Sequence, residues 1–165
     1  MKRSALLAAA VLLFACSRSN PAPTTTTGSA PAAPASGPRV VFPDGTVIHV
    51  EVASDDPTRE QGLMYRDVLP EDRGMIFIFP QNGTYPFWMK NTLIPLDMIW
   101  IDETKKVNFV ASDVPPCKAD PCPSFGSQTI PSRYVLETAA GVAKKHNIAA
   151  GTMLRLEGME NVMVR

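Results

Sequence analysis

Apolar and polar residues alternate cleanly across residues 47–52: Ile48, Val50 and Val52 fall on one face, His49 and Glu51 on the other. A period of two predicts a half-buried strand. Asp55-Asp56-Pro57 then predicts a helix start, with Asp56 as N-cap and Pro57 at the first helical position. That helix is expected to run to about Arg66. Gly62 inside it costs about 1 kcal/mol against Ala, which points to close packing at that position. Residues 74–79 are apolar on both faces and predict a central strand, followed by a turn at Gln81-Asn82-Gly83-Thr84. Two more strands are predicted at 85–90 and 96–101, a turn at 102–105 and a strand at 107–112. A loop rich in Pro, Ser and Gly at 114–131 precedes a strand at 134–137, a short helix at 139–146 and a last strand at 152–157. Many short strands with two short helices predict a mainly β domain, a small sandwich or barrel-like fold.

The pattern upstream is different. Lys2 and Arg3 precede an eleven-residue apolar run, 5–15, too short for the roughly 20 residues that span a bilayer. It fits the hydrophobic region of a signal peptide, residues 1–15. Leu13-Phe14-Ala15-Cys16 resembles the lipobox of bacterial lipoproteins, which implies cleavage before Cys16 and acylation of that residue. Cleavage after Ala15 in an ordinary secreted protein is the alternative. Two or three acyl chains, at roughly 0.8 kcal/mol per buried CH₂, would hold the protein on a membrane. Ser17 is not the Asp associated with inner-membrane retention, so by analogy an outer-membrane lipoprotein facing the periplasm or exterior is expected. Residues 16–38 then hold the lipidated Cys and a linker; 20 of the 22 residues after Cys16 are Pro, Ala, Thr, Ser or Gly. Such a segment has no apolar period to bury and is expected to be disordered, spanning roughly 25 Å. Residues 39–165 are left as one globular domain.

Charge narrows the partners. The chain of 165 residues carries 16 Lys and Arg against 16 Asp and Glu. From Cys16 onward 14 basic residues face 16 acidic ones, a net charge of −2. Neither figure suits a nucleic-acid binder, so no nucleic-acid partner is expected.

Several segments of the head resemble one family. Arg59-x-x-Gly62-Leu63-Met64-x-Arg66, Leu69-Pro70 and Gly74-Met75-Ile76-Phe77 form one block, and Phe87-Trp88-Met89-Lys90-Asn91-Thr92-Leu93-Ile94-Pro95-Leu96-Asp97 a second. Pro121-Cys122-Pro123 and the stretch from Val135-Leu136-Glu137 to Gly141 complete the pattern. Together they resemble the bacterial and archaeal "domain of unknown function 192" family over about residues 47–157. Thr58 departs from the acidic residue expected before Arg59. The resemblance implies a compact, mainly β, often exported domain and supplies no catalytic residue.

The second block concentrates polar groups in an apolar wall. Lys90, Asn91 and Asp97 sit among Phe, Trp, Met, Leu and Ile. Asp97 shares a strand face with Ile99 and Ile101, and a buried carboxyl needs a partner or hydrogen bonds. Two readings stay open: Asp97 holds the local backbone, or Lys90, Asn91 and Asp97 meet a small polar or cell-envelope ligand beside Trp88. On the predicted helix Arg59 and Arg66 share a face and could grip an anion, or pair with local acids. An enzyme acting on envelope polymers is a further alternative, and it needs Asp97 close to a second carboxylate such as Glu137.

Cys117 and Cys122 are the thiols of the head, and an oxidising compartment favours a disulfide between them. Met64, Met75, Met89, Met98, Met153, Met159 and Met163 are soft thioethers that leave copper handling as an alternative, although each sits singly in an apolar run, as core residues do. His49 and His146 lie far from the cysteines in sequence, so no metal site is predicted. Gly-x-Ser-x-Gly elbows, phosphate loops and dinucleotide fingerprints are missing from the sequence, and no cofactor is expected.

Overall fold

The computed structural model describes residues 37–165. The expected signal peptide, the expected lipidation site Cys16 and the expected linker as far as residue 36 lie outside the described residues. The chain forms β1 (Arg39–Val41), β2 (Val47–Ala53), α1 (Asp56–Gln61), β3 (Arg73–Gly83), β4 (Phe87–Trp88), β5 (Leu96–Ile101), β6 (Val107–Val114), β7 (Ser124–Phe125), β8 (Ser132–Ala139), α2 (Val142–Lys145) and β9 (Arg155–Glu157). Seven strands make one sheet in the order β6-β5-β8-β3-β2-β1-β9, curled into a half-barrel, while β4 and β7 form a separate two-stranded ribbon. The fold is mainly β with two short helices, as the strand pattern predicts.

β2 and β3 run parallel, and every other neighbouring pair in the large sheet is antiparallel. A parallel pair needs a crossover connection, and α1 with the turns after it supplies that connection. Gly74 lets the centre of the sheet close up: a Cβ there would stand 2.5 Å from the Glu137 carbonyl oxygen. The alternation of β3, β5 and β8 sorts their side chains into two cores. Ile76, Ile78, Ile99, Ile101 and Leu136 join Val40, Phe42, Ile48 and Val142 on one side. Met75, Phe77, Phe79, Met98, Trp100 and Val135 join Leu63, Met89 and Ala53 on the other.

Several boundaries differ from the sequence reading. The N-cap is Asp55, whose Oδ1 accepts from the Thr58 backbone N–H at 2.9 Å. The helix stops at Gly62, where φ is +48°, and not near Arg66. A side chain at that position would press on the Phe77 ring, 3.3 Å from an added Cβ, so Gly62 does mark close packing. β3 carries on through the expected turn, with a register shift between Ile78 and Gly83. β4 is reduced to two residues after Pro86, which has no N–H to pair. β8 pairs on both sides as far as Thr138 and Ala139, which pushes the helix start past Gly141. β1 has no counterpart in the sequence reading, and β7 emerges from the predicted loop.

Residues 151–157 clasp the sheet. The Val107 N–H donates to the Thr152 carbonyl at 2.8 Å and the Leu154 N–H to the Lys105 carbonyl at 3.0 Å. Three residues later the same segment pairs with β1 as β9.

Asp97 is fully buried on the first core's side of β5. Oδ1 accepts from the Asp113 N–H at 2.8 Å and Oδ2 from the Ala143 N–H at 2.7 Å. The carboxyl therefore ties the end of β6 and the start of α2 to the central strand. Asp97→Ala leaves two N–H groups without acceptors and is expected to cost about 3 kcal/mol, read as a lower urea midpoint at unchanged m-value. A loss below about 1 kcal/mol would contradict this role.

Candidate functional site

On the second core's side, α1 and the segment 85–92 enclose a partly open cavity of about 230 Å³. Its floor is Glu137. β8 sets that residue between Met75 of β3 and Met98 of β5, and it is 4% exposed. Its carboxyl forms no hydrogen bond within the described residues. Loss of water alone pushes its pKa up to about 8, so the group is largely protonated at neutral pH.

The walls are aromatic. Phe77 and Phe79 reach the cavity from β3, and Tyr85, Phe87 and Trp88 from the ribbon side. The rings brace one another: Phe87 meets Phe77 edge-on at 4.8 Å between centroids, and Tyr85 stacks on Phe79 at 3.5 Å. Trp100 donates from Nε1 to the Tyr85 carbonyl at 2.9 Å and holds that segment against the sheet. The Cys117–Cys122 disulfide lies just before β7, the strand that pairs with β4.

Charged groups stand at the rim. Arg59 donates to the Ile78 carbonyl at 2.9 Å, to Asp56 at 2.6 Å and to the main-chain oxygen of Arg165, and its guanidinium lies 5.5 Å from the Phe79 centroid. Lys90 has its ammonium 5.6 Å from the Trp88 ring centroid and 3.7 Å from Asp120. Asp56 and Glu60 complete the charged lining.

The sequence candidates therefore divide. Trp88, Lys90 and Arg59 line the cavity; Asn91, Asp97 and Arg66 do not. Asn91 adopts φ +57°, accepts the Tyr65 N–H on its carbonyl at 2.8 Å, and so pins the wall without facing the cavity. Arg66 is taken up by Glu51 through two contacts of 2.5 and 2.7 Å. A two-arginine anion grip is thus not formed, because α1 ends before Arg66 and both guanidiniums are already paired. The paired-carboxylate reading also fails on register. Asp97 lies opposite Thr138, one residue away from Glu137, so the two carboxyls leave the sheet on opposite faces. Met75, Met89 and Met98 fill the second core, while Met153 and Met163 are exposed. No group of three His, Cys, Asp or Glu suited to a metal ion occurs among the described residues.

The model of the DUF192 family, described as "Uncharacterized ACR", matches residues 39–156. No curated protein matches. A crystal structure from Sinorhizobium meliloti, described as a "putative transcription regulator", is 35% identical with a TM-score of 0.62, covering 73% of this chain and 92% of that one. A protein of unknown function from Novosphingobium aromaticivorans is 28% identical with a TM-score of 0.63, covering 72% of this chain and 82% of that one.

The raised pKa of Glu137 carries a definite pH dependence. Below pH 4.5 the carboxyl is protonated in both folded and unfolded chains. Between 4.5 and about 8 the unfolded chain has lost that proton and the folded one has kept it, so this residue's contribution to stability falls as pH rises. Glu137→Gln is expected to remove that decline, a slope of up to about 1.4 kcal/mol per pH unit, in urea unfolding measured from pH 5 to 9. Parallel curves for the two proteins would contradict it.

Proposed function

The chain belongs to the DUF192 family, and on that premise we propose that it is a small-molecule-binding domain held at the cell envelope by a lipidated Cys16. The binding site in this reading is the cavity above Glu137. One observation carries it: a carboxyl nine-tenths buried, without a partner among the described residues, facing an aromatic-walled space large enough for a small ligand. A bare buried carboxyl costs several kcal/mol, and a fold gains nothing from it by packing alone. An aromatic-walled cavity with a small number of polar groups, here Glu137 at the floor and Asp56, Arg59, Glu60 and Lys90 at the rim, is the usual composition of a ligand site. Lys90 and Trp88 stand at the mouth, where they would contact the outer part of a bound molecule.

Enzymatic use has less behind it: among the described residues no His or Cys lines the cavity, and Asp56 and Glu60 lie on its exposed rim. The regulator wording of the Sinorhizobium neighbour gains nothing from charge: residues 39–165 carry 13 basic and 16 acidic residues, a net −3.

The site is tested by a fragment screen followed by NMR or calorimetry. Bound fragments are expected to weaken at least about five-fold with Trp88→Ala, the loss of roughly one aromatic contact. Hits whose affinity ignores Trp88→Ala and Lys90→Ala would remove the assignment.

Tethering rests on the sequence before the head. Among the described residues no helix is long and apolar enough to cross a membrane, and membrane attachment through Cys16 needs none. Cys16→Ser is expected to move the protein from the membrane fraction to the soluble fraction. Unchanged sedimentation with membranes would end the lipid-anchor reading.

A further inference from the structure

Granting the ligand site just proposed, we propose that its ligand is a small organic cation, an ammonium group on an apolar body, whose charge sits on the aromatic walls and against the Glu137 carboxylate. Aromatic faces attract cations through their quadrupole, and more strongly where water is excluded. Two cavity-lining rings already hold cations within the molecule: Phe79 carries Arg59 and Trp88 carries Lys90. Both of those cations are neutralised locally, Arg59 by Asp56 and Lys90 by Asp120. Neither pairs with Glu137, which has no basic partner among the described residues.

The groups facing Glu137 allow little else. Met75 on β3 and Met98 on β5 flank it and carry no charge. Across the cavity stand Asp56, Arg59 and Glu60 from α1, and Tyr85 and Lys90 from the opposite wall. With Arg59 paired to Asp56 and Lys90 to Asp120, Glu60 on the rim and an ionised Glu137 at the floor are the lining charges left unmatched, so the cavity is net negative. An anionic ligand would have to bury its charge beside a carboxyl. A cation instead turns the cost of burying Glu137 into attraction: the carboxyl releases its proton to solvent, and the ligand's charge replaces it.

That exchange sets the sign of the pH dependence. A permanent cation competes with the proton, so its affinity falls as pH drops below the pKa of Glu137. A neutral acceptor accepting a hydrogen bond from the protonated carboxyl would show the reverse. Choline and its uncharged isostere 3,3-dimethylbutan-1-ol separate the two cases, titrated calorimetrically into the purified full chain from pH 6 to 9. At pH 8.5 choline is expected to bind at least about ten-fold tighter than the alcohol. Its affinity is expected to weaken about ten-fold per pH unit below pH 7.5, with about one proton released per choline bound at pH 7. Glu137→Gln is expected to abolish the preference for charge and the proton release while leaving alcohol binding in place. The wild-type pH profile stands even if that variant does not fold. Equal or tighter binding of the alcohol, or choline affinity that does not fall on acidification, overturns the cation proposal and leaves the cavity assignment intact. If neither probe binds while fragments sensitive to Trp88→Ala do, the cation proposal alone falls; if nothing binds there, both fall.

Discussion

β3, β8 and β5 lie at the middle of the sheet with water on neither face, and the rest of the molecule follows from that constraint. In their buried stretches each side chain must enter one of two cores, and neighbours in sequence enter different ones. Asp97 and Glu137 show what this does to a polar group. They lie on adjacent strands, one residue out of register, yet their surroundings have nothing in common. Asp97 emerges where two backbone N–H groups meet it and becomes a brace. Glu137 emerges between Met75 and Met98 at the floor of the cavity and finds no hydrogen-bond partner among the described residues.

A protein keeps such a group at a cost to its own stability, and sites of that kind are where function and stability trade against each other. The surroundings are built to hold the arrangement. Ring-on-ring contacts fix Phe77, Phe79, Tyr85 and Phe87, and Gly62 lets the end of α1 come down onto Phe77. The wall is thus set by the fold itself, which would lower the ordering cost of the binding proposed above.

Much of the fold was legible in the sequence because its signals are local. The alternation in β2, the doubly apolar run in β3 and the Asp-Asp-Pro helix start each need only a few residues to be seen. Errors gathered where distant parts decide. α1 ends at Gly62, which takes a positive φ with the Phe77 ring packed against it, and β8 lengthens because strands on both sides accept it. The candidate site was half legible. Trp88 and Lys90 stand out within their segment, and Arg59 within the helix. Asp97 stood out for the same reason, a charge among apolar residues, but its two hydrogen-bond donors come from residues 16 and 46 positions away. Glu137 gave the matching signal inside Val135-Leu136-Glu137. Only the register of β8 with β5 tells the brace from the bare group, and register is not written in any single strand.

The clasp formed by residues 151–157 has a consequence beyond holding the two ends of the sheet. Open sheets leave backbone donors and acceptors along their outermost strands, and those rows can recruit the strands of another copy. Here one short stretch occupies the start of β6 and the free side of β1 together. The backbone of residues 105–107 and the free side of β1 are thereby withheld from pairing with the strands of another copy.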